Sequence, residues 1–338
     1  MHENKINKNF AENLAEKILS RDKLSLSKAI TLIESTKTEH QKIARKLLNL
    51  LIPYSGKSIR IGITGSPGVG KSTFIDSFAD YLSGLGRKIA ILAIDPSSTK
   101  SKGSILGDKT RMQKIANNPN VFIRPSPSRG SSGGIANRTR ETILLCEAFG
   151  FDTIIVETVG VGQSEVLVRT IVDFFLLLLQ PGGGDELQGL KKGSVEIADL
   201  IVINKADGEN TNLAEVTKNA YSLAIHYLQP ATDGWETKVV TASAMKMTGI
   251  SEIWDIIKEF EQKTKESGIF EKRREEQNLD WFYVLLENNL KALFFENPHI
   301  KKKLQSFEKK IKDGKIIPSE ASDKIIDFFI KFSLNERI

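Results

Sequence analysis

An open, doubly wound α/β fold with a mostly parallel sheet is the architecture that this 338-residue sequence predicts, and three observations predict it. From residue 59 onward, short apolar runs alternate with segments of helical periodicity. The runs are apolar at both alternating positions, the pattern of strands covered on both faces by helices. The first run also ends in a glycine-rich turn, "GSPGVGKS" at 65–72, which opens a helix. Helical N- and C-terminal extensions flank this core.

The elements follow in chain order. Residues 1–56 form the N-terminal extension. "LAEKILS", "LSKAITLIES" and "IARKLLNLLI" carry apolar residues at helical spacing, and Pro53 with "YSGKS" breaks the pattern. Seven strands are predicted in 57–266, at "IRIGIT", "KIAILAID", "VFIRP", "DTIIVET", "DFFLLLL", "ADLIVIN" and "TKVVTAS". Residues 267–338 form a helical C-terminal arm. In it "WFYVLL" and "LKALFF" precede a break at Pro298, and Ser319 is placed to cap a helix carrying Ile325, Ile326, Phe328, Phe329 and Phe332. Trp281, Phe282 and Tyr283 cannot all face one narrow helix stripe, so either a dimer partner or the α/β domain itself covers part of them.

Composition narrows the class. A hydrophobic content of 40% suffices for a core. The single cysteine, Cys146, excludes an intramolecular disulfide and reads as a packed thiol on the apolar side of a helix. No apolar run reaches the ~18 residues that a membrane helix needs, and the N-terminus has neither a signal-peptide nor a transit-peptide pattern. A cytoplasmic protein without membrane contact is the expectation. The net charge is +6, and seven lysines lie in 301–315. With no aromatic interleaving they read as a solvated helix face, and no nucleic-acid partner is expected. The four histidines are scattered and offer no metal-ligand spacing.

The turn at 65–72 satisfies the P-loop pattern and makes the fold a P-loop NTPase. Gly65, Ser66, Pro67, Gly68, Val69, Gly70, Lys71, Ser72 and Thr73 are the phosphate-binding residues. The glycines let backbone N–H groups approach the phosphates. Lys71 is expected on the β- and γ-phosphates, and the Ser72 hydroxyl on Mg²⁺. Base identity comes from "DLIVINKAD", which delivers Asn204, Lys205 and Asp207 to a strand's carboxyl end. An aspartate accepts from guanine N1–H and the 2-amino group, whereas adenine would leave that carboxylate unpaired. Backbone N–H groups of Ser243, Ala244 and Met245, in "TASAM", could meet guanine O6. GTP and GDP are therefore the predicted nucleotides, with GTP hydrolysis as the chemistry. Two further acids end strands. Either Asp95 or Glu157 could hold Mg²⁺ through a water or position the attacking water, and Gly160 has the spacing from Glu157 to meet the γ-phosphate.

"GITGSPGVGKSTF", "AIDPSS", "GSILGDKTRM", "FIRPSPSRG", "ETVGVGQSE", "PGGGDELQGLKKG" and "NKAD", in this order, resemble the MeaB/ArgK family of P-loop GTPases. With "AITLIE" and "DGKIIPSEA", the resemblance spans nearly the whole chain. It implies a homodimer that assists an adenosylcobalamin-dependent acyl-CoA mutase, typically methylmalonyl-CoA mutase. There the family gates cofactor loading and protects or reactivates the mutase. By position it places Asp95 and Asp108 in a first switch region and Glu157 in a second, as the catalytic and Mg²⁺-site carboxylate. "PGGGDELQGLKK" becomes a further switch, with Asp185 and Glu186 beside Lys191 or Lys192 as the partner-sensing charges, and the C-terminal helices become the dimer arm. Two positions depart from the family pattern, Lys102 before Gly103-"SILGD" and Ser132 in "SRGSSGG". Both bear on partner contacts more than on the nucleotide. The competing readings are a kinase linked to amino-acid (lysine, arginine or ornithine) transport, an older family label, and a passive GTP-binding adaptor.

Overall fold

The computed structural model describes residues 2–95, 112, 114–127, 132–158, 164–182 and 192–335. Three helices come first: α1 (His2–Leu19), α2 (Lys23–Glu34) and α3 (Thr38–Leu51). The alternating part follows as β1 (Ile59–Gly65), α4 (Lys71–Gly84), β2 (Ile89–Asp95), β3 (Val121–Pro127), α5 (Ser132–Phe149), β4 (Thr153–Thr158), α6 (Ser164–Arg169), β5 (Phe174–Leu179), α7 (Lys192–Glu196), β6 (Leu200–Ile203), α8 (Thr211–Ile225), β7 (Lys238–Thr241) and α9 (Ile250–Glu266). The chain then runs through α10 (Ile269–Phe295), α11 (Pro298–Lys312) and α12 (Pro318–Asn335).

All seven predicted strands form, and they pair in parallel in the order β3-β2-β4-β1-β5-β6-β7. Every residue of β4, β5 and β6 is buried, as expected of strands covered on both faces. One face packs against α4 and α9, with Phe74, Phe78, Trp254 and Phe260 at its centre. Against the other lie α5, α6, α8 and also α1–α3, whose Ile18, Leu26, Ile30 and Leu47 are fully buried in the same core. The N-terminal helices are thus part of the main body. Asp22 caps α2 by accepting from the N–H groups of Leu24 and Ser25. The Ser25 hydroxyl, first, and these amides hold its carboxyl below the usual range.

Buried arginine–carboxylate pairs close the amino end of the sheet. Arg60 grips Glu147 with two nitrogens, at 2.9 and 3.0 Å. Arg274, in the second turn of α10, pairs with Asp173 at 2.6 Å and donates to the carbonyls of Gly56 and Ser58. Arg273 donates to the Asp173 carbonyl, and Gln277 to that of Val172. These bonds carry the first compact unit through Gln277, well into α10, and the second unit is 278–338.

Within the second unit, α11 and α12 bury Phe307, Ala321 and Ile325 together. Asn297 caps α11, and Lys309, Lys310 and Lys312 fall in its last turn, where the helix dipole favours cations. That gives these three lysines of the run a local structural reason. One expectation is corrected here: Ser319 is not the cap of α12. Pro318 takes the first helical position, where its fixed φ fits and its missing N–H costs nothing, so Ser319 sits inside the first turn. Cys146 is buried, and burial, then the Glu147 charge, pushes its thiol above the ordinary range. Among the described residues, no helix is long and apolar enough to cross a membrane.

Candidate nucleotide site

The site lies at the carboxyl ends of β1, β4 and β6, where open parallel sheets bind ligands. The turn after β1 requires its glycines. At Gly65 a Cβ would lie 2.4 Å from the Leu178 carbonyl on the neighbouring strand. Gly70 caps α4 at φ +92°, where a Cβ would press on Asn204 Nδ2 at 3.0 Å. Ser66, Pro67, Gly68 and Val69 make the bend between them, and Lys71, Ser72 and Thr73 form the first turn of α4. Its uncapped backbone N–H groups are a ready anion site. The Lys71 ammonium folds back on this turn, donating to Gly65 O at 2.7 Å and Ser66 O at 3.2 Å.

The loop after β6 is tied to the P-loop before any nucleotide is considered. Asn204 is buried, donates through Nδ2 to Val69 O at 2.9 Å, and accepts at Oδ1 from Ala244 N–H at 3.4 Å. Its amide is a strut between the phosphate loop and the "TASAM" loop. Lys205 sits at φ +62° and donates to Gly68 O at 2.6 Å. Asp207 is half-buried, and its carboxylate accepts no hydrogen bond from the described residues. Of the three amides expected at guanine O6, that of Ser243 is committed to Thr248 O at 3.1 Å. That of Ala244 is engaged by Asn204 Oδ1, so the expectation narrows to Met245, which is exposed. Ser77 secures the loop by donating to Ala244 O at 2.7 Å.

Glu157 is buried in β4, in register with Ile63 on one side and Ala93 on the other. This brings it to Ser72, whose hydroxyl donates to Glu157 Oε1 at 3.4 Å. A hydroxyl and a carboxylate together are hard oxygen donors of the kind Mg²⁺ takes beside phosphate, so the residues present fit that ion. Asp95 ends β2, two strand positions beyond the Ala93 level. Asp108, Gly160, Asp185, Glu186, Lys191 and the Lys102 departure lie outside the described residues, as do the side chains of Asp95, Ser132 and Lys192.

Sequence reasoning missed a layer behind Glu157. The Thr64 and Thr158 hydroxyls share a hydrogen bond of 2.8 Å, and Thr64 donates to buried Glu165 at 3.4 Å. Only the closeness of Glu165 to "ETVGVGQ" in the chain hinted at it.

A seven-stranded parallel sheet with a phosphate loop after its first strand, and an Asn-Lys-x-Asp loop strapped to that turn, defines a P-loop GTPase. The chain belongs to the MeaB family. The family described as "Methylmalonyl Co-A mutase-associated GTPase MeaB" matches residues 26–299. "GTPase ArgK" of Escherichia coli is 42% identical, over 91% of this chain and 93% of its own. "Methylmalonic aciduria type A homolog, mitochondrial" of Mus musculus is 40% identical, over 95% of this chain and 80% of its own. Among solved structures, that of a "LAO/AO transport system kinase" superposes with a TM-score of 0.75 at 35% identity, covering 94% of this chain and 97% of its own.

Proposed function

We propose that this protein is a GTP-hydrolysing chaperone for an adenosylcobalamin-dependent acyl-CoA mutase of the methylmalonyl-CoA mutase type, gating cofactor loading and protecting or reactivating the enzyme. The observation that carries this reading is the family match across 26–299, under a description that names the mutase association. In this reading Asp207 selects guanine. The Met245 amide faces O6, while Asn204 and Lys205 hold the two loops in register. Lys71 exchanges its carbonyl partners for the β- and γ-phosphates as GTP enters. Ser72 and Glu157, with Asp95 and Asp108, would hold Mg²⁺, which supplies charge neutralisation on the phosphates. Glu157 orients the attacking water, and Gly160 N–H meets the γ-phosphate.

The protein acts as a cytoplasmic homodimer through 278–338. Leu279, Tyr283, Leu286, Leu290 and Leu293 recur on α10 at alternating spacings of four and three and are exposed, the pattern of a coiled-coil seam. Asp185, Glu186, Lys191 and Lys192 read out the mutase.

The test is GTP turnover alone and with the mutase, for wild type and Glu157→Gln. A stimulated wild type and a variant that binds GTP normally but turns over about a hundredfold more slowly support the reading. Absence of any mutase effect sinks the chaperone role. A second reading, a kinase linked to amino-acid transport, is favoured by the likeness to the solved transport system kinase. Transfer of labelled γ-phosphate to an acceptor other than water would establish it.

A further inference from the structure

Helix α8 carries more apolar surface than its own domain covers. Ala214, Thr217 and Tyr221 face inward and are buried. Beside them, Leu213, Val216, Leu223 and Tyr227 are 44, 65, 64 and 79% exposed, and Ala220 between them is exposed as well. Leu213, Val216, Ala220 and Leu223 recur at spacings of three, four and three residues, so at 100° per residue they form one stripe about 80° wide, and Tyr227 follows in the turn just past the helix end. Together with the buried face, the apolar arc spans about 180° of the helix, of which the domain covers about a third.

Charge is depleted around the stripe. Exposed Asn212 and Asn219 border it, and the helix's two charged side chains, Glu215 and Lys218, are paired with each other at 3.4 Å. A solvated helix face ordinarily carries Lys and Glu; an apolar strip edged by uncharged amides has the composition of an interface core.

The position is informative too. Gly182 N–H donates to Thr217 Oγ1 at 3.0 Å, and a Cβ on Gly182 would lie 2.9 Å from Leu213 Cδ2. The stripe therefore starts against the residue that opens the "GGGDELQG" stretch. Its size argues against a stable self-interface. The five side chains present on the order of 500 Å², short of the roughly 800 Å² per partner that a standard stable interface buries. That is the scale of a transient contact.

We propose that this stripe is the docking face for an amphipathic helix of the mutase partner, laid along α8 by its own apolar seam. The proposal rests on the mutase reading above. The partner helix supplies apolar side chains at a matching three-four spacing, and uncharged or weakly charged flanks, since α8 has no free charge to complement. Docking there sets the partner beside Gly182.

The test uses the full-length protein with purified methylmalonyl-CoA mutase holoenzyme from the same organism. Val216→Glu and Leu223→Glu are compared with wild type and with Leu24→Glu, an equally exposed position on α2. Affinity is measured by surface-immobilised binding, alongside basal GTP turnover and thermal melting. Each α8 variant is expected to weaken mutase association at least tenfold, chiefly through faster dissociation, while Leu24→Glu binds as wild type and all three keep wild-type melting and basal turnover. Wild-type affinity in both α8 variants overturns the docking face while leaving the mutase reading intact. If wild type itself does not bind the mutase, both fall. If the α8 variants change the sedimentation of the protein alone, the stripe is a contact between two copies of this chain, and the proposal is likewise overturned.

Discussion

In residues 1–277, two sets of buried side chains lie on the two faces of one sheet, and the loops at its ends are bonded to each other. In residues 278–338, the buried set is Phe307, Ala321 and Ile325, with Phe294, Leu304, Ile311 and Ile316 partly covered against it. That unit leaves Leu279, Phe282, Leu286, Leu290 and Leu293 exposed. The first region buries most of its apolar groups among its own elements, the stripe on α8 excepted. The second has few buried residues, as small helical units bury little apolar area. The difference teaches where to look for each kind of function: chemistry in the region that closes on itself, assembly in the region that does not.

The comparison breaks most severely at Arg274. Its removal leaves the buried Asp173 carboxylate unpaired and strips the Gly56 and Ser58 carbonyls of a donor. Arg274→Ala is expected to destabilise the protein by about 3–5 kcal/mol in denaturant unfolding. A loss below ~1 kcal/mol would mean that the first region's closure does not depend on α10.

Asn204→Ala probes the strut at the carboxyl end. It orphans Val69 O and Ala244 N–H, both buried, at about 1–3 kcal/mol of stability. GTP affinity should fall about tenfold, although the side chain is engaged with the protein on both sides; about 1.4 kcal/mol of lost preorganisation suffices. Calorimetric titration with GTP checks it.

Glu141, on α5, sharpens the comparison by marking where the first region is strained. Burial pushes its carboxyl up to about 7 from 4.5, against the pull of Arg138 and then Arg45. The folded state then holds the proton more tightly than the unfolded chain. Its contribution is favourable at low pH and is lost as pH rises from about 4.5 to about 7. Glu141→Gln should flatten that slope and raise stability at pH 8 by on the order of 2 kcal/mol. Parallel pH dependences for the two proteins would remove Glu141 from the balance.

The smallest stability effect belongs to the open region. Within the monomer, Leu286→Glu with Leu290→Glu should shift unfolding by less than about 0.5 kcal/mol, because both side chains are exposed. The same pair should convert a dimer to a monomer in sedimentation. A dimer that survives would place the assembly surface elsewhere.

The strands and the phosphate loop were legible because their signals are local. An apolar run between turns, or a glycine at a required φ, is written in adjacent residues, and all seven runs became strands. The helix start at Pro318 was misread by two residues because serine and proline both favour helix entry and only backbone geometry separates them. The strut role of Asn204 was not legible. Its side chain was placed with the base-reading residues, whereas its partners Val69 and Ala244 lie 135 and 40 residues away and meet only when β1, β6 and β7 are brought together in one sheet.

By itself the sequence determined the parallel α/β architecture and the phosphate-binding turn. Each depends on residue type at short spacing. Only the tertiary structure decided that α1–α3 share the main core, that Glu157 meets Ser72, that Ser243 N–H is spent within its own loop, and that α8 keeps an uncovered stripe. Those outcomes depend on which segments become neighbours. Packing settles that by burying the largest compatible apolar area and pairing the polar groups left inside, over separations that no local pattern encodes.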